Sequence, residues 1–259
     1  MKDVWAVGDS YERYVGRWSR HVAPEFLRWL GIGPGRRWLD VGCGTGALTE
    51  AILRSCDPGS VTGVDPSPGF VAHCAATIDD ERATFVEGDA TNLPEGLAVD
   101  AAVAGLVLNF VPDPPAAVST MRRSAADGCV AAYVWDYAGE MQMLRYFWDT
   151  AVALRADAAP AAEAVRFAIC EPDRLDQLWR QAGLSDVETR PIDVATVFAD
   201  FDDYWAPFLL GQGPAPVYVA NLDESDRIEL AAALEDALPA AADGSITLTA
   251  RAWAVRGAA

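Results

Sequence analysis

Lysine is almost missing from this sequence: of its 20 basic residues one is Lys2 and the rest are arginine, set against 38 acids for a net charge of −18. That acidic excess speaks against a face that tracks phosphates, so nucleic acid is not expected as a partner. Long apolar runs are missing too: no stretch reaches the roughly 18 residues of a membrane-crossing helix, so no membrane partner is expected. The start, Met1-Lys2-Asp3-Val4-Trp5, carries acids and lacks the apolar core of a secretory signal. Together these features point to the cytoplasm. The five cysteines (43, 56, 74, 129 and 170) form no C-x-x-C pair, which argues against a disulfide framework or a zinc site. Histidine is limited to His21 and His73, and no His/Asp/Glu cluster has metal-ligand spacing, so no metal is expected. What remains is a chain of 259 residues, 51% apolar, enough for one large core with substantial insertions.

The most informative stretch is Trp38-Leu39-Asp40-Val41-Gly42-Cys43-Gly44-Thr45-Gly46. It reads as a buried strand running into a glycine turn, followed by a helix from Ala47; such a unit cradles a nucleotide-like ligand. Gly42, Gly44 and Ala47 also fit G-x-G-x-x-G/A, and Asp65 lies where a ribose-binding acid belongs in a dinucleotide fold. Asp40 argues against that ligand, because its carboxylate would repel a pyrophosphate. S-adenosylmethionine (SAM) presents an ammonium and a sulfonium instead, and an acid suits both.

At Asp40–Gly46 the sequence resembles the class I SAM-dependent methyltransferases, and further motifs follow in order: Val61-Thr62-Gly63-Val64-Asp65, Phe85-Val86-Glu87-Gly88-Asp89-Ala90, and the apolar run Ala98 to Phe110. The resemblance covers residues 36–137 well and the remainder poorly. It implies an α/β fold with a Rossmann-like doubly wound, mainly parallel sheet, an antiparallel edge strand, and helical insertions forming a lid. It implies SAM as cofactor, S-adenosylhomocysteine as product, and a cofactor site drawn from Tyr14, Arg17, Asp40, Gly42, Cys43, Gly44, Asp65, Pro66, Asp89, Ala90 and Leu106. Within it Asp65 meets the ribose hydroxyls and Asp89 the adenine amino group, while Cys43 packs against the cofactor.

Strands are expected near 37–42, 61–65, 83–88, 99–107 and 129–136, alternating with helices near 47–55, 68–78 and 114–125. Residues 1–35 read as an N-terminal helical extension or lid, and 36–259 as the SAM-binding domain, with insertions at about 138–170 and 199–244. Further helices fit Glu140–Arg155 and Pro172–Ala182, and strand signals return at 186–198 and 245–255. About 46 residues separate those last two strands, too many for a hairpin turn, so a partly helical insertion is expected there. Insertions of this size favour a small acceptor over a large one.

Methyl transfer from a sulfonium asks the protein to align an acceptor and exclude water, and for some acceptors to remove a proton. Asp136, His21 and Tyr11 are candidates for that base. Trp18, Asn109, Trp135, Tyr137 and Trp205 are candidates for contact with the substrate, and Tyr11, Tyr14 and Trp18 fall on one helical face. The reading is a SAM-dependent methyltransferase of the small-molecule or quinone-methylating type. Three others stay open: a methyltransferase of protein or tRNA, a SAM-fold protein with a binding or non-methylating role, and an NAD(P)-dependent oxidoreductase. The acceptor atom and the oligomeric state are not legible.

Overall fold

The computed structural model describes residues 16–94, 96–211 and 213–259. Its seven strands are β1 (Arg37–Val41), β2 (Ser60–Asp65), β3 (Ala83–Glu87), β4 (Ala101–Gly105), β5 (Cys129–Trp135), β6 (Ser185–Phe198) and β7 (Ile246–Ala258). They form one sheet in the order β3-β2-β1-β4-β5-β7-β6. The first five pair in parallel, with Asp40 opposite Gly63 and Val103, and Gly105 opposite Tyr133. Strand β4 is buried from Ala101 to Ala104, as befits a parallel strand covered on both faces. Strand order reverses between β1 and β4, and ligands of open α/β sheets bind at such a switch point, outside the strands' carboxyl ends.

The far edge is antiparallel. Ala259 N–H donates to the Gly128 carbonyl and Asp136 N–H to the Arg251 carbonyl, so β7 runs against β5. Ion pairs Arg256–Glu188 and Arg251–Asp193 show β6 running against β7 in turn. The fold is therefore the Rossmann-like, mainly parallel sheet with an antiparallel edge that the sequence implied.

The helices are α1 (Arg17–Leu30), α2 (Ala47–Ser55), α3 (Pro68–Thr77), α4 (Pro114–Ser124), α5 (Gln142–Leu154), α6 (Glu163–Arg166), α7 (Pro172–Gln181), α8 (Phe201–Trp205), α9 (Pro214–Asn221) and α10 (Glu224–Ala237). Their starts follow local chemistry. Ser67 and Asp113 accept the backbone N–H groups of Phe70 and Ala116, each just ahead of a proline that suits a first helical turn. At the other end of α1, Arg256 donates to the Trp29 and Leu30 carbonyls and lies 4.7 Å over the Trp29 ring, satisfying the helix's last acceptors.

The chain divides into two compact units. The sheet unit holds Ser19–Val134, Ile169–Ile192 and Ala252–Ala259. From Ser19 onward α1 belongs to it, with Phe26 fully buried 4.8 Å from Tyr133. The helical unit holds Trp135–Ala168 and Asp193–Arg251, with Trp18. Its core is aromatic: Phe147 stacks on Phe208 at 4.5 Å, and the Tyr204 hydroxyl donates to the Met143 carbonyl at 2.8 Å. Glu163 is buried there, accepting the Trp148 indole N–H and the Ala215 backbone N–H. The stretch 199–244 holds α8, α9 and α10. Among the described residues, no helix is long and apolar enough to cross a membrane.

Candidate cofactor site

Strand β1 ends in a loop whose glycines are required one by one. Gly42 has φ +73, where L side chains are strained, and a Cβ there would lie 2.3 Å from a Val107 methyl carbon. Gly46, at φ +88, opens α2, and a Cβ would meet Ile78 at 2.5 Å. The loop is anchored to β2: Gly42 and Cys43 both donate to the Val64 carbonyl, at 2.7 and 3.1 Å. By contrast, a Cβ at Gly44 would meet nothing within 4 Å, so the loop is open on that side.

Two carboxylates flank the loop. Asp65, at the end of β2, accepts Gly44 N–H through one oxygen (3.0 Å) and Ser67 N–H through the other (2.9 Å). Burial raises its carboxyl above the ordinary range, against the pull of those two donors. Asp40 is 1% exposed and accepts the Thr49 hydroxyl of α2 at 2.7 Å. Burial, opposed by that hydrogen bond and aided by the charge of Asp65, pushes Asp40 up to about 7. Two buried acids beside one loop favour a cationic ligand over a pyrophosphate. Thr49→Val, which keeps the volume and removes the donor, is expected to lower unfolding free energy at pH 8 by about 1–3 kcal/mol, read by urea denaturation.

The remaining cofactor candidates gather at the same strand ends. Pro66 follows Asp65 directly and is exposed. Asp89 is exposed beyond β3, with one oxygen accepting Thr91 N–H at 2.7 Å, and the Ala90 carbonyl accepts the Thr120 hydroxyl. Leu106 follows β4 in the left-handed region at φ +59, its N–H donating to the Tyr133 carbonyl at 2.8 Å. A bulky residue held there is strained, and such strain concentrates at functional sites. Cys43 is buried; a hydrogen bond with Cys74, then burial, push its thiol up, so it stays protonated and packs.

Of the acceptor candidates, Asn109 lies in the turn Leu108–Phe110 after β4, and its amide nitrogen is buried without a hydrogen-bond partner. Trp18, Trp135, Tyr137 and Trp205 fall in the helical unit. Trp18 lies edge-on to Phe198 at 5.4 Å, and the Trp135 indole N–H is buried without a hydrogen-bond partner. Asp136 is committed to a turn: its carboxylate accepts Glu140 N–H at 2.9 Å, and a Cβ at Gly139 would lie 2.5 Å from it. His21 is exposed on α1. Tyr11, Tyr14 and the Arg17 side chain lie outside the described residues. Sequence reasoning missed Thr49, Val107 and Tyr133, each of which touches the loop or the end of β4. Thr49 and Tyr133 lie in no motif and are brought in by the register of α2 and β5, while Val107 follows β4 within the Ala98–Phe110 run.

Residues 39–132 match the model of the family described as "Methyltransferase domain". A demethylmenaquinone methyltransferase of Roseiflexus sp. (strain RS-1) is 30% identical over 213 residues, covering 70% of this chain and 90% of that protein. The chain belongs to the class I SAM-dependent methyltransferases, of the quinone-methylating type. Solved structures agree in fold. A protein from Bacillus halodurans C-125 superposes with a TM-score of 0.61 at 12% identity, over 91% of this chain and 97% of its own. A Haemonchus contortus phosphoethanolamine N-methyltransferase in complex with S-adenosylhomocysteine does so with a TM-score of 0.57 at 15% identity, over 97% of this chain and 56% of its own.

This methyltransferase uses S-adenosylmethionine as cofactor and acts on a small-molecule acceptor. The residues present fit that cofactor: a loop open at Gly44 and two buried acids, Asp40 and Asp65, beside it.

Proposed function

We propose that the acceptor is a reduced aromatic ring of the quinol type, methylated at an electron-rich ring atom in the cytoplasm. The supporting observation is the relationship that spans 90% of a demethylmenaquinone methyltransferase. The helical unit carries side chains suited to a flat ring: Tyr137 packs against Phe167 at 5.7 Å, and Trp205 stacks on Phe201 at 6.3 Å with planes 11° apart. Among the described residues Cys43, Cys56, Cys74 and Cys129 form no disulfide, which suits a reducing compartment.

When bound, the donor would supply an activated methyl group, passing to the acceptor as the carbon–sulfur bond breaks, with the proton displaced from the acceptor atom going to solvent. In this proposal Asp40 and Asp65 hold the donor's cationic and ribose groups, Asp89 its adenine, and Asn109 donates to an acceptor oxygen. Arg17 and Tyr14 meet the donor's methionine end, while Trp18, Trp135, Tyr137 and Trp205 contact the acceptor. The extension at 1–35 and the insertions at about 138–170 and 199–244 select the acceptor and exclude water.

The test is methyl transfer from isotopically labelled SAM to a short-chain demethylated naphthoquinol, its oxidised quinone and phosphoethanolamine. Label entering the quinol alone is the expected outcome, since the reduced ring is the nucleophile. Label entering phosphoethanolamine, or none entering the quinol, would remove the quinol assignment.

A further inference from the structure

The buried residues of helix α2 are Leu48, Thr49, Ala51 and Ile52, and Thr49 alone among them carries a polar side chain. A β-branched residue with a hydroxyl is a poor choice for a helix interior, and a costly one in a core unless the hydroxyl is used. Here it is used. The hydroxyl donates to Asp40 Oδ2 at 2.7 Å, and the Thr49 backbone N–H donates to the same carboxylate. Gly46 opens α2 without a side chain to cap it, so Asp40, reaching from the end of β1, accepts one of the helix's first N–H groups.

A carboxylate buried so deeply stays charged only with help. Burial and the neighbouring Asp65 favour its neutral form, and Thr49 opposes both. Around Asp40, β4 offers Val103 and β2 offers Gly63, each opposite it in register. The end of β2 adds Asp65, the loop adds the Cys43 thiol, and α3 adds the Cys74 thiol bonded to Cys43. None of these is a cation, so the charge depends on the hydrogen bonds from Thr49. That charge is felt in the cofactor loop, where it helps push up the Cys43 thiol. In a desolvated setting such a field acts over several ångströms, so Asp40 attracts a cation at the loop without touching it.

We propose that Thr49 is a positioning residue for donor binding: its hydroxyl holds the Asp40 carboxylate in the charged form that draws the cationic donor to the loop. This rests on the SAM-dependent reading above. As pH rises Asp40 ionises, and SAM affinity should rise with it; removing the hydroxyl moves that gain to higher pH. Wild type and variant should differ most where Asp40 is charged in one and neutral in the other, and converge on either side. A residue that merely supported the helix would change affinity by the same factor at every pH.

Thr49→Val keeps the shape, Thr49→Ala puts no methyl against the carboxylate, and Thr49→Ser keeps the donor hydroxyl. Calorimetric titration of all four proteins with SAM, from about pH 5.5 to about pH 9, reads the difference directly. For Val and Ala the Kd should exceed the wild-type value about three- to five-fold near pH 7.5, and by less than about two-fold at either end of that range. Thr49→Ser should stay within about two-fold of wild type throughout. The donor's own ammonium titrates alike in every experiment and cancels in the ratio. A ratio independent of pH, or near one at every pH, would overturn the assignment while leaving the cofactor reading intact. A wild-type protein that bound SAM at no pH would overturn the assignment together with the reading on which it rests.

Discussion

Asp65→Ala is expected to cost this methyltransferase most of its SAM affinity. Two losses coincide in the one carboxylate. The ribose hydroxyls lose a charged acceptor, worth roughly 1.5–3 kcal/mol. The Gly44 N–H, 3.0 Å from the same carboxylate, loses its partner, as does the Ser67 N–H at 2.9 Å. The loop would then have to be ordered by the ligand itself, so the effect should exceed that of a hydroxyl contact alone. Titration calorimetry should show a Kd raised at least about 100-fold, with Asp65→Asn intermediate because it keeps an acceptor oxygen. An unchanged Kd for Asp65→Ala would remove the end of β2 from the site.

The second large effect concerns the protein without its cofactor. The Asp40 carboxyl is raised to about 7 in the fold, chiefly by burial, from an unfolded value of about 3.9. Between those values the folded chain holds a proton that the unfolded chain has released. The stability that Asp40 contributes is therefore full below about pH 4, falls as pH rises toward 7, and levels off beyond it. Glu163, also raised to about 7 by burial, contributes with the same sign. Asp40→Asn retains an acceptor for the Thr49 hydroxyl and removes the titration. It should flatten a large part of the decline between pH 5 and 8, leaving the variant more stable than wild type at pH 8 by several kcal/mol, with about 4 as the upper bound. The same variant should bind SAM more weakly, since a neutral amide does not attract an ammonium or a sulfonium. Urea denaturation across pH 5 to 9 checks the first statement; a wild-type stability that does not fall over that range would contradict it.

The legible parts of the site are those where backbone geometry or charge demands a residue type. Gly42 and Gly46 are visible because their conformations and close neighbours admit little else, and Asp40 and Asp65 because acids at strand ends are costly unless used. Strands β1, β2, β4 and β5 read as apolar runs because a parallel sheet is covered on both faces. Other features depend on conformation, which apolar content does not encode. The run from Ala98 to Phe110 suggests a strand near 99–107, yet β4 stops at Gly105, because Leu106 reverses its φ and the chain enters a tight turn at Leu108–Phe110. The aromatic stretch from Phe201 to Phe208 reads as one possible substrate wall. The structure splits it: Tyr204 and Phe208 are fully buried in the helical core, while Phe201 and Trp205 stay partly exposed. Thr49 was invisible because its value lies in a single partner across the loop, and Tyr133 because its value lies in the register of β5 against β4.

The most direct test of the central claim is titration of the purified protein, in one calorimetric series, with SAM, S-adenosylhomocysteine and NADH. Binding of the first two without NADH is the predicted result, because Asp40 and Asp65 welcome a cation and repel a pyrophosphate. Binding of NADH alone would contradict it, and would mean that the acid at the end of β1 does not choose the ligand.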